Sequence, residues 1–174
     1  MRDSFTAALT FVLQDEGGND DDPADAGGRT SRGITQREYN AWCQLHGSPA
    51  GDVWKASDAT VAAIYFQQYW QPYCDALPKG TDYLSFDANV LEGPVQSIKF
   101  LQEALGVAVD GHLGVVTMAA AQAANAKDLI GKVSDLKVAF YKEIEREHPQ
   151  DVKFDRGWMN RVTNVKARAL GMLQ

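Results

Sequence analysis

Residues 15–35 read DEGGNDDDPADAGGRTSRGIT, and three side chains in this stretch could act together. Glu16 is a carboxyl at the end of an apolar-periodic segment, Asp25 is a second carboxylate nine residues on, and Thr30 adds a hydroxyl. Glycines at 17, 18, 27, 28 and 33 let the chain between them fold back on itself. A carboxylic acid that protonates a leaving oxygen, with a carboxylate or a positioned water on the opposite face of a sugar ring, is the equipment of glycosidic-bond cleavage. A calcium loop fits the same residues less well. Counted from Asp20, the fifth position is Ala24, the sixth is Asp25 where a glycine is needed, and the twelfth is Ser31 where a bidentate glutamate is needed. A nucleophilic triad fits poorly too, because the chain has no GxSxG and no cysteine with a nearby histidine. His46, His112 and His148 lie far apart with no partner four residues on, and Cys43 and Cys74 form no CxxC, so neither a metal nor a cofactor is expected. By spacing alone, glycoside chemistry and a plain solvated turn both remain open.

The elements that must position these groups follow from periodicity. Phe5, Ala8, Leu9, Val12 and Leu13 recur at helical spacing, which predicts a helix over 4–16 stopped by Gly17 and Gly18. Glu16 then sits at the negative end of the helix dipole, where an ionised carboxylate is slightly costly. Residues 17–35 suggest loops and a short irregular β-hairpin. A second helix starts near Thr35 and carries Tyr39 and Trp42; Ser57 or Asp58 caps a third running to Tyr69 or Trp70. TDYLSFDANVLEG reads as a helix, Gly93-Pro94 punctuates it, and Pro94 opens the next, PVQSIKFLQEAL. After the glycine-punctuated GVAVDGHLGVV come TMAAAQAANA, a long helix from Lys127 to His148, and a last one from Asp155 to Leu170. The chain is expected to be mainly α, with one Gly/Asp-rich insertion after the first helix.

At 174 residues the chain suits one compact domain, or one with a small appendage, and can bury about 70% of its unfolded surface. No run of about 18 apolar residues occurs, and the apolar stretch near the N-terminus is too short, between Asp3 and Asp15, for a signal peptide. The expectation is a soluble chain made in the cytoplasm, with two reduced cysteines, that reaches the outside by another route. The net charge of -6 is uneven: residues 1–126 carry 7 Lys and Arg against 16 Asp and Glu, a net of -9, and residues 127–174 carry 10 against 7, a net of +3. No dense basic stripe is present, which argues against nucleic acid. The tail, with Arg161, Lys166 and Arg168, could face a cell wall or an anionic membrane, or could be an ordinary solvated helix face.

EGGNDDDPADAGGRTSRGIT resembles the signature of the glycoside hydrolase family 108 lysozymes, in which EGG, D-P-x-D-x-G-G-x-T and G-I-T follow in this order. IYFQQYW at 64–70, CDALPKG at 74–80, SFDANV at 85–90, LQEALGVAVDGHLGVVT at 101–117 and FDRGWMNRV at 154–162 extend the resemblance over nearly the whole chain. The second half is similar to the peptidoglycan-binding region that accompanies this family. The resemblance implies a lysozyme-like helical fold with a small β insertion, a catalytic region over 1–94, and a helical peptidoglycan-binding region over 95–174 packed on it as one globule. It makes Glu16 the catalytic acid. By a more distant similarity to phage-type lysozymes, Asp25 and Thr30 activate and hold the attacking water. The acid role requires Glu16 to keep its proton near neutral pH, which calls for partial burial and neighbours such as Asp15 or Asp25.

Tyr39, Trp42, Tyr65, Tyr69 and Trp70 could line a glycan groove or pack in a core; Tyr39, Tyr69 and Trp70, with Asn89 of SFDANV, are taken as sugar contacts. Gly157-Trp158 and Asn160-Arg161 could contact peptidoglycan, with Trp158 equally suited to a core. The sequence departs from the family at Leu91-Glu92-Gly93, where Asn-Ser-Gly is usual, and Leu91 cannot hydrogen-bond a sugar. The expected activity is a muramidase that cleaves the β-1,4 bond between N-acetylmuramic acid and N-acetylglucosamine, as a monomeric phage or prophage endolysin. It would be held in the host cytoplasm until a holin-type pore releases it to the periplasm and wall. The alternatives are a host muramidase that aids protein or toxin secretion and a wall-binding module without activity.

Overall fold

The apolar stripe at positions 5, 8, 9 and 12 does form a helix, and those four residues are its buried side. The computed structural model describes residues 2–16, 18–20 and 29–174. Contacts divide the chain into two units, residues 5–68 and residues 69–174 together with 1–4.

In the first unit, α1 (Arg2–Asp15) leads to a three-stranded antiparallel sheet of two-residue strands, β1 (Asn19–Asp20), β2 (Thr30–Ser31) and β3 (Ile34–Thr35), in the order β1-β2-β3. Asp20 pairs with Thr30 and Asn19 with Ser31, while Thr30 faces Thr35 across the second ladder. The β2–β3 turn is Arg32-Gly33, and both residues have positive φ, +51° and +77°. This is the backbone pattern whose twist matches the strands of a tight hairpin. TQRE then closes a capping box: Thr35 accepts from the Glu38 N–H while the Glu38 carboxylate accepts from the Thr35 N–H, starting α2 (Gln36–Leu45). A 3-10 turn (Val53–Lys55) precedes α3 (Asp58–Tyr65), capped by Ser57. The helix predicted to run on to Tyr69 or Trp70 instead widens into a π turn over Phe66–Trp70. Phe66 stays packed edge-on against Phe5, with 5.0 Å between ring centres.

The second unit is built on α4 (Thr81–Leu91), in which nine successive residues, Thr81 to Asn89, are buried. A helix covered on every side normally carries apolar residues throughout, yet this one brings Asp82, Ser85, Asp87 and Asn89 inside, and each must find a partner. Around it lie α5 (Pro94–Leu105), α6 (Val115–Ala123), α7 (Ala126–Glu147), a 3-10 stretch (Pro149–Phe154) and α8 (Asp155–Gly171). Pro94 opens α5, and Gly106 closes it in the left-handed conformation. The mainly α fold with a small β insertion is thus the expected one. No helix among the described residues is long and apolar enough to cross a membrane.

The second unit holds an ionic cluster where the sequence departs from the family pattern. Lys137 Nζ, 1% exposed, lies 3.1 Å from both Asp87 Oδ2 and Glu92 Oε1, and Arg161 brings Nε and Nη2 to within 3.0 and 2.9 Å of Asp87 Oδ1. Tyr141 donates its hydroxyl to Glu92, and Trp158 stacks on the Tyr141 ring at 4.9 Å. Trp158 therefore has the packing role of its two sequence readings, and Arg161 is turned inward on Asp87. Lys166 pairs with Asp135 and Arg168 reaches the Tyr83 hydroxyl, so Arg161, Lys166 and Arg168 all have partners within the protein.

Burial holds the Glu92 carboxyl above its ordinary 4.5, against the pull of Lys137 and Tyr141. A carboxyl raised on folding favours the folded state at low pH and loses that contribution as pH rises through the raised value. Lys137→Met leaves Glu92 buried without its cation, so a loss of about 3–5 kcal/mol is expected in denaturant unfolding. The loss should grow as pH climbs above the ordinary 4.5 of Glu92. Glu92→Leu combined with Lys137→Met should recover most of it; an unchanged midpoint for the single variant would show that the cluster does not hold this unit together.

Candidate active site

Glu16 follows the last residue of α1 directly, and its N–H still bonds to the Val12 carbonyl at 3.0 Å, so helical geometry fixes its backbone. Its half-buried side chain lies against the β2–β3 turn. A β-carbon built on Gly33 would stand 3.2 Å from Glu16 Oε2, 3.4 Å from Glu16 Cγ and 2.5 Å from the Tyr65 hydroxyl oxygen. Tyr65 is 1% exposed and donates that hydroxyl to the Arg32 carbonyl at 2.8 Å. A tight turn, a buried phenol and a carboxyl thus meet at one glycine α-carbon, where any side chain would collide and the backbone has φ +77°.

The turn is held from its other side as well. Arg32 pairs with Asp58 at 2.6 Å and donates to the Ala56 carbonyl at 2.6 Å, and its N–H reaches the Gly18 carbonyl at 3.2 Å. Arg32 adopts φ +51°, which costs a non-glycine residue on the order of 1–2 kcal/mol, offset here by those bonds. The result is a rigid ledge behind Glu16, which suits a group that must present a proton in one direction.

Thr30 lies on the central strand β2, half-buried, and its carbonyl accepts from Trp54 Nε1 at 3.1 Å. Trp54 is 36% exposed, and the Arg29 guanidinium sits 4.4 Å over its ring while also pairing with Asp52 at 3.2 Å. Asp25 lies outside the described residues. Among the described residues, no group of three or more His, Cys, Asp or Glu side chains is gathered as a metal would require.

Two of the four sugar contacts expected from sequence belong to the core. Trp70 is 1% exposed, packs edge-on against Phe86 at 5.4 Å and donates Nε1 to Asp75 at 3.1 Å, so it has no free face to offer a glycan. Asn89 is also 1% exposed, and its amide nitrogen donates to the Tyr69 carbonyl at 2.9 Å and to Cys74 Sγ at 3.2 Å. It ties Tyr69 to α4. Burial, then the charge of Asp82, pushes the Cys74 thiol well up, and both cysteines are buried free thiols. Tyr39 and Tyr69 are half-buried. Burial and a hydrogen bond with Cys43, one turn further along α2, raise the Tyr39 phenol. Sequence reasoning missed Trp54, the aromatic beside Thr30, and treated Gly33 as a breaker and Tyr65 as one aromatic among several. The positive-φ demand of an Arg-Gly hairpin was the one signal that singled out Gly33.

Residues 9–93 match the family described as Glycosyl hydrolase 108, and residues 96–163 match the one described as Predicted Peptidoglycan domain. No curated protein matches the chain. Among solved structures, Brucella abortus SagA is similar at 32% identity, covering 99% of this chain and 97% of that one, with a TM-score of 0.80. The chain belongs to the glycosyl hydrolase 108 family and is a peptidoglycan-directed glycoside hydrolase of the lysozyme type.

Proposed function

We propose that Glu16 is the general acid of a muramidase that hydrolyses the β-1,4 bond between N-acetylmuramic acid and N-acetylglucosamine. The observation that carries this reading is the seat at Gly33: a carboxyl fixed at a helix end, backed by a turn that tolerates no side chain and is anchored by a buried phenol. Protonation of the glycosidic oxygen by Glu16 lets the bond to the anomeric carbon break, and charge develops on the sugar ring. A water then attacks that carbon, with Asp25 taking its proton and Thr30 holding it by hydrogen bonding. Tyr39 and Tyr69 supply phenol faces for the sugars, and Trp54, close to Thr30, adds an exposed indole. In the cell the enzyme is a phage or prophage endolysin, released from the cytoplasm to the wall through a pore formed by another protein. The peptidoglycan-domain match beside the hydrolase match supports the wall as its target.

Glu16→Gln keeps the shape and removes the proton, so reducing-end release from purified peptidoglycan should fall by about 10²–10⁴-fold. Wild-type turnover in this variant would leave a wall-binding module without chemistry. Mass spectrometry of the digested muropeptides should find new reducing ends on N-acetylmuramic acid; ends on N-acetylglucosamine would make the enzyme a glucosaminidase. Gly33→Ala places a methyl group against the Glu16 carboxyl, and turnover should drop about 10²-fold as the acid shifts by about 1 Å. Stability should fall by more than the about 1–2 kcal/mol that the positive φ alone costs, because the methyl group also displaces the buried Tyr65 hydroxyl, and thermal unfolding reads the loss.

A further inference from the structure

The loop between α5 and α6 forms a pocket that the hydrolytic step does not use. Gln102, 1% exposed, is its organiser: the amide nitrogen donates to Asp110 Oδ1 at 2.7 Å, the His112 carbonyl at 3.0 Å and Thr117 Oγ1 at 3.3 Å. The amide oxygen accepts from the N–H groups of Asp110 and Gly111 at 3.0 and 2.9 Å. One buried side chain thus fixes the loop by five hydrogen bonds, and the cavity it shapes, about 280 Å³, is preformed.

Its lining is unusual for a surface. Val107, Ala108, Val115 and Val116 face it together with Asp110 and His112, and Val115 and Val116 are 85% and 67% exposed. Val109 and Val95 are also exposed, and Gly111, at φ +74°, lies so close to Val95 that a β-carbon there would come within 3.0 Å of its methyl group. Beside these methyl groups stand two opposite charges. Asp110 is held below the usual carboxylate range, first by the Gln102 amide and then by the His112 N–H, and Lys99 carries its side chain past Gly111.

No Phe, Tyr or Trp ring lines the pocket, and its one aromatic side chain, His112, holds Nδ1 3.0 Å from the Asp110 carbonyl, so the broad stacking face that sugar binding normally recruits is absent. Methyl-sized apolar seats beside a fixed anion and a nearby cation complement a short peptide with alanyl methyl groups, a free ammonium and carboxylates. That is the chemistry of the peptide stems of peptidoglycan, and the whole lining falls within the residues matched as a peptidoglycan domain.

We propose that this pocket binds the peptide stem of peptidoglycan, with alanyl methyls on Val115 and Val116 and the ammonium of the stem's diamino acid at Asp110. The proposal rests on peptidoglycan being the substrate. The hydrolase recognises its polymer at two chemically different places, glycan at the Glu16 site and peptide here. Stems mark the wall among glycans, so the pocket adds specificity without touching the reacting bond.

The test uses the full chain carrying Glu16→Gln, which permits binding without cleavage, and a free stem tetrapeptide (L-Ala, D-Glu, diaminopimelate, D-Ala) titrated by NMR. Saturable shifts confined to residues 95–117, together with an at least tenfold weaker affinity for Asp110→Asn and for Val116→Asp, are expected. Val116 is largely exposed, so its substitution should leave the melting curve unchanged. Co-sedimentation should be stronger with intact sacculi than with glycan strands stripped of peptide by an amidase. No binding of the tetrapeptide, or equal binding to stripped and intact polymer, overturns the proposal. Cleavage of stripped glycan by the unsubstituted enzyme reports on the muramidase reading alone.

Discussion

No β-carbon fits at residue 33, and the candidate active site depends on that absence. The Arg32-Gly33 turn must curl with positive φ at both residues to join two-residue strands, and the same curl lets the Glu16 carboxyl and the Tyr65 hydroxyl approach one α-carbon. Strands this short cannot hold a sheet together by their ladders alone. Their stability comes from bonds at the turn, Tyr65 to Arg32, Arg32 to Asp58 and Ala56, and from the capping box that joins β3 to α2. A small sheet is thereby made rigid enough to back the Glu16 carboxyl.

The second unit meets a different constraint, that a helix buried on every face carries polar groups which must be answered. Asp87 is answered by Lys137 and Arg161, Glu92 Oε1 by Lys137 and Tyr141, the Ser85 backbone carbonyl by Ser97, and the Asn89 amide nitrogen by Tyr69 and Cys74, while Asn89 Oδ1 and Glu92 Oε2 have no hydrogen-bond partner among the described residues. Such a network contributes little net stability against an apolar core, but breaking one member leaves an uncompensated charge inside. It also joins α4 to α7 and α8 through directional bonds, which apolar packing alone would not specify. Glu92, where the family usually has serine, brings the second carboxylate that Lys137 bridges.

The peptidoglycan-domain half illustrates how one buried amide can shape a surface. Gln102 both donates and accepts, which turns the Gly-punctuated loop after α5 into a fixed rim, and the valines that follow remain exposed instead of collapsing inward. Loops on rigid scaffolds are where recognition is usually carried.

By itself the sequence determined most of the helices, because apolar spacing and Gly, Pro, Ser and Thr stops are local signals: α1 ends beside Gly17, Pro94 opens α5, and Ser57 caps α3. It also pointed to the family and to Glu16 as the candidate acid, since EGG, the aspartate-glycine run and GIT follow in order within one stretch. What it did not determine was which side chains face inward. Trp70 and Asn89 carry the chemistry of sugar contacts, yet both are buried: Asn89 lies on α4, which is covered on all sides, and Trp70 packs against Phe86 of that helix, while periodicity cannot distinguish a helix with one buried face from one with none exposed. The partners of Arg161, Lys166 and Arg168, carboxylates and a phenol 31 to 85 residues away in sequence, were likewise not legible in the sequence. Trp54 meets Thr30 across 24 residues, and Gly33 meets Glu16 and Tyr65. These pairings are set by tertiary packing, since contacts between distant segments depend on how helices and turns stack, and no local pattern of residue types encodes that.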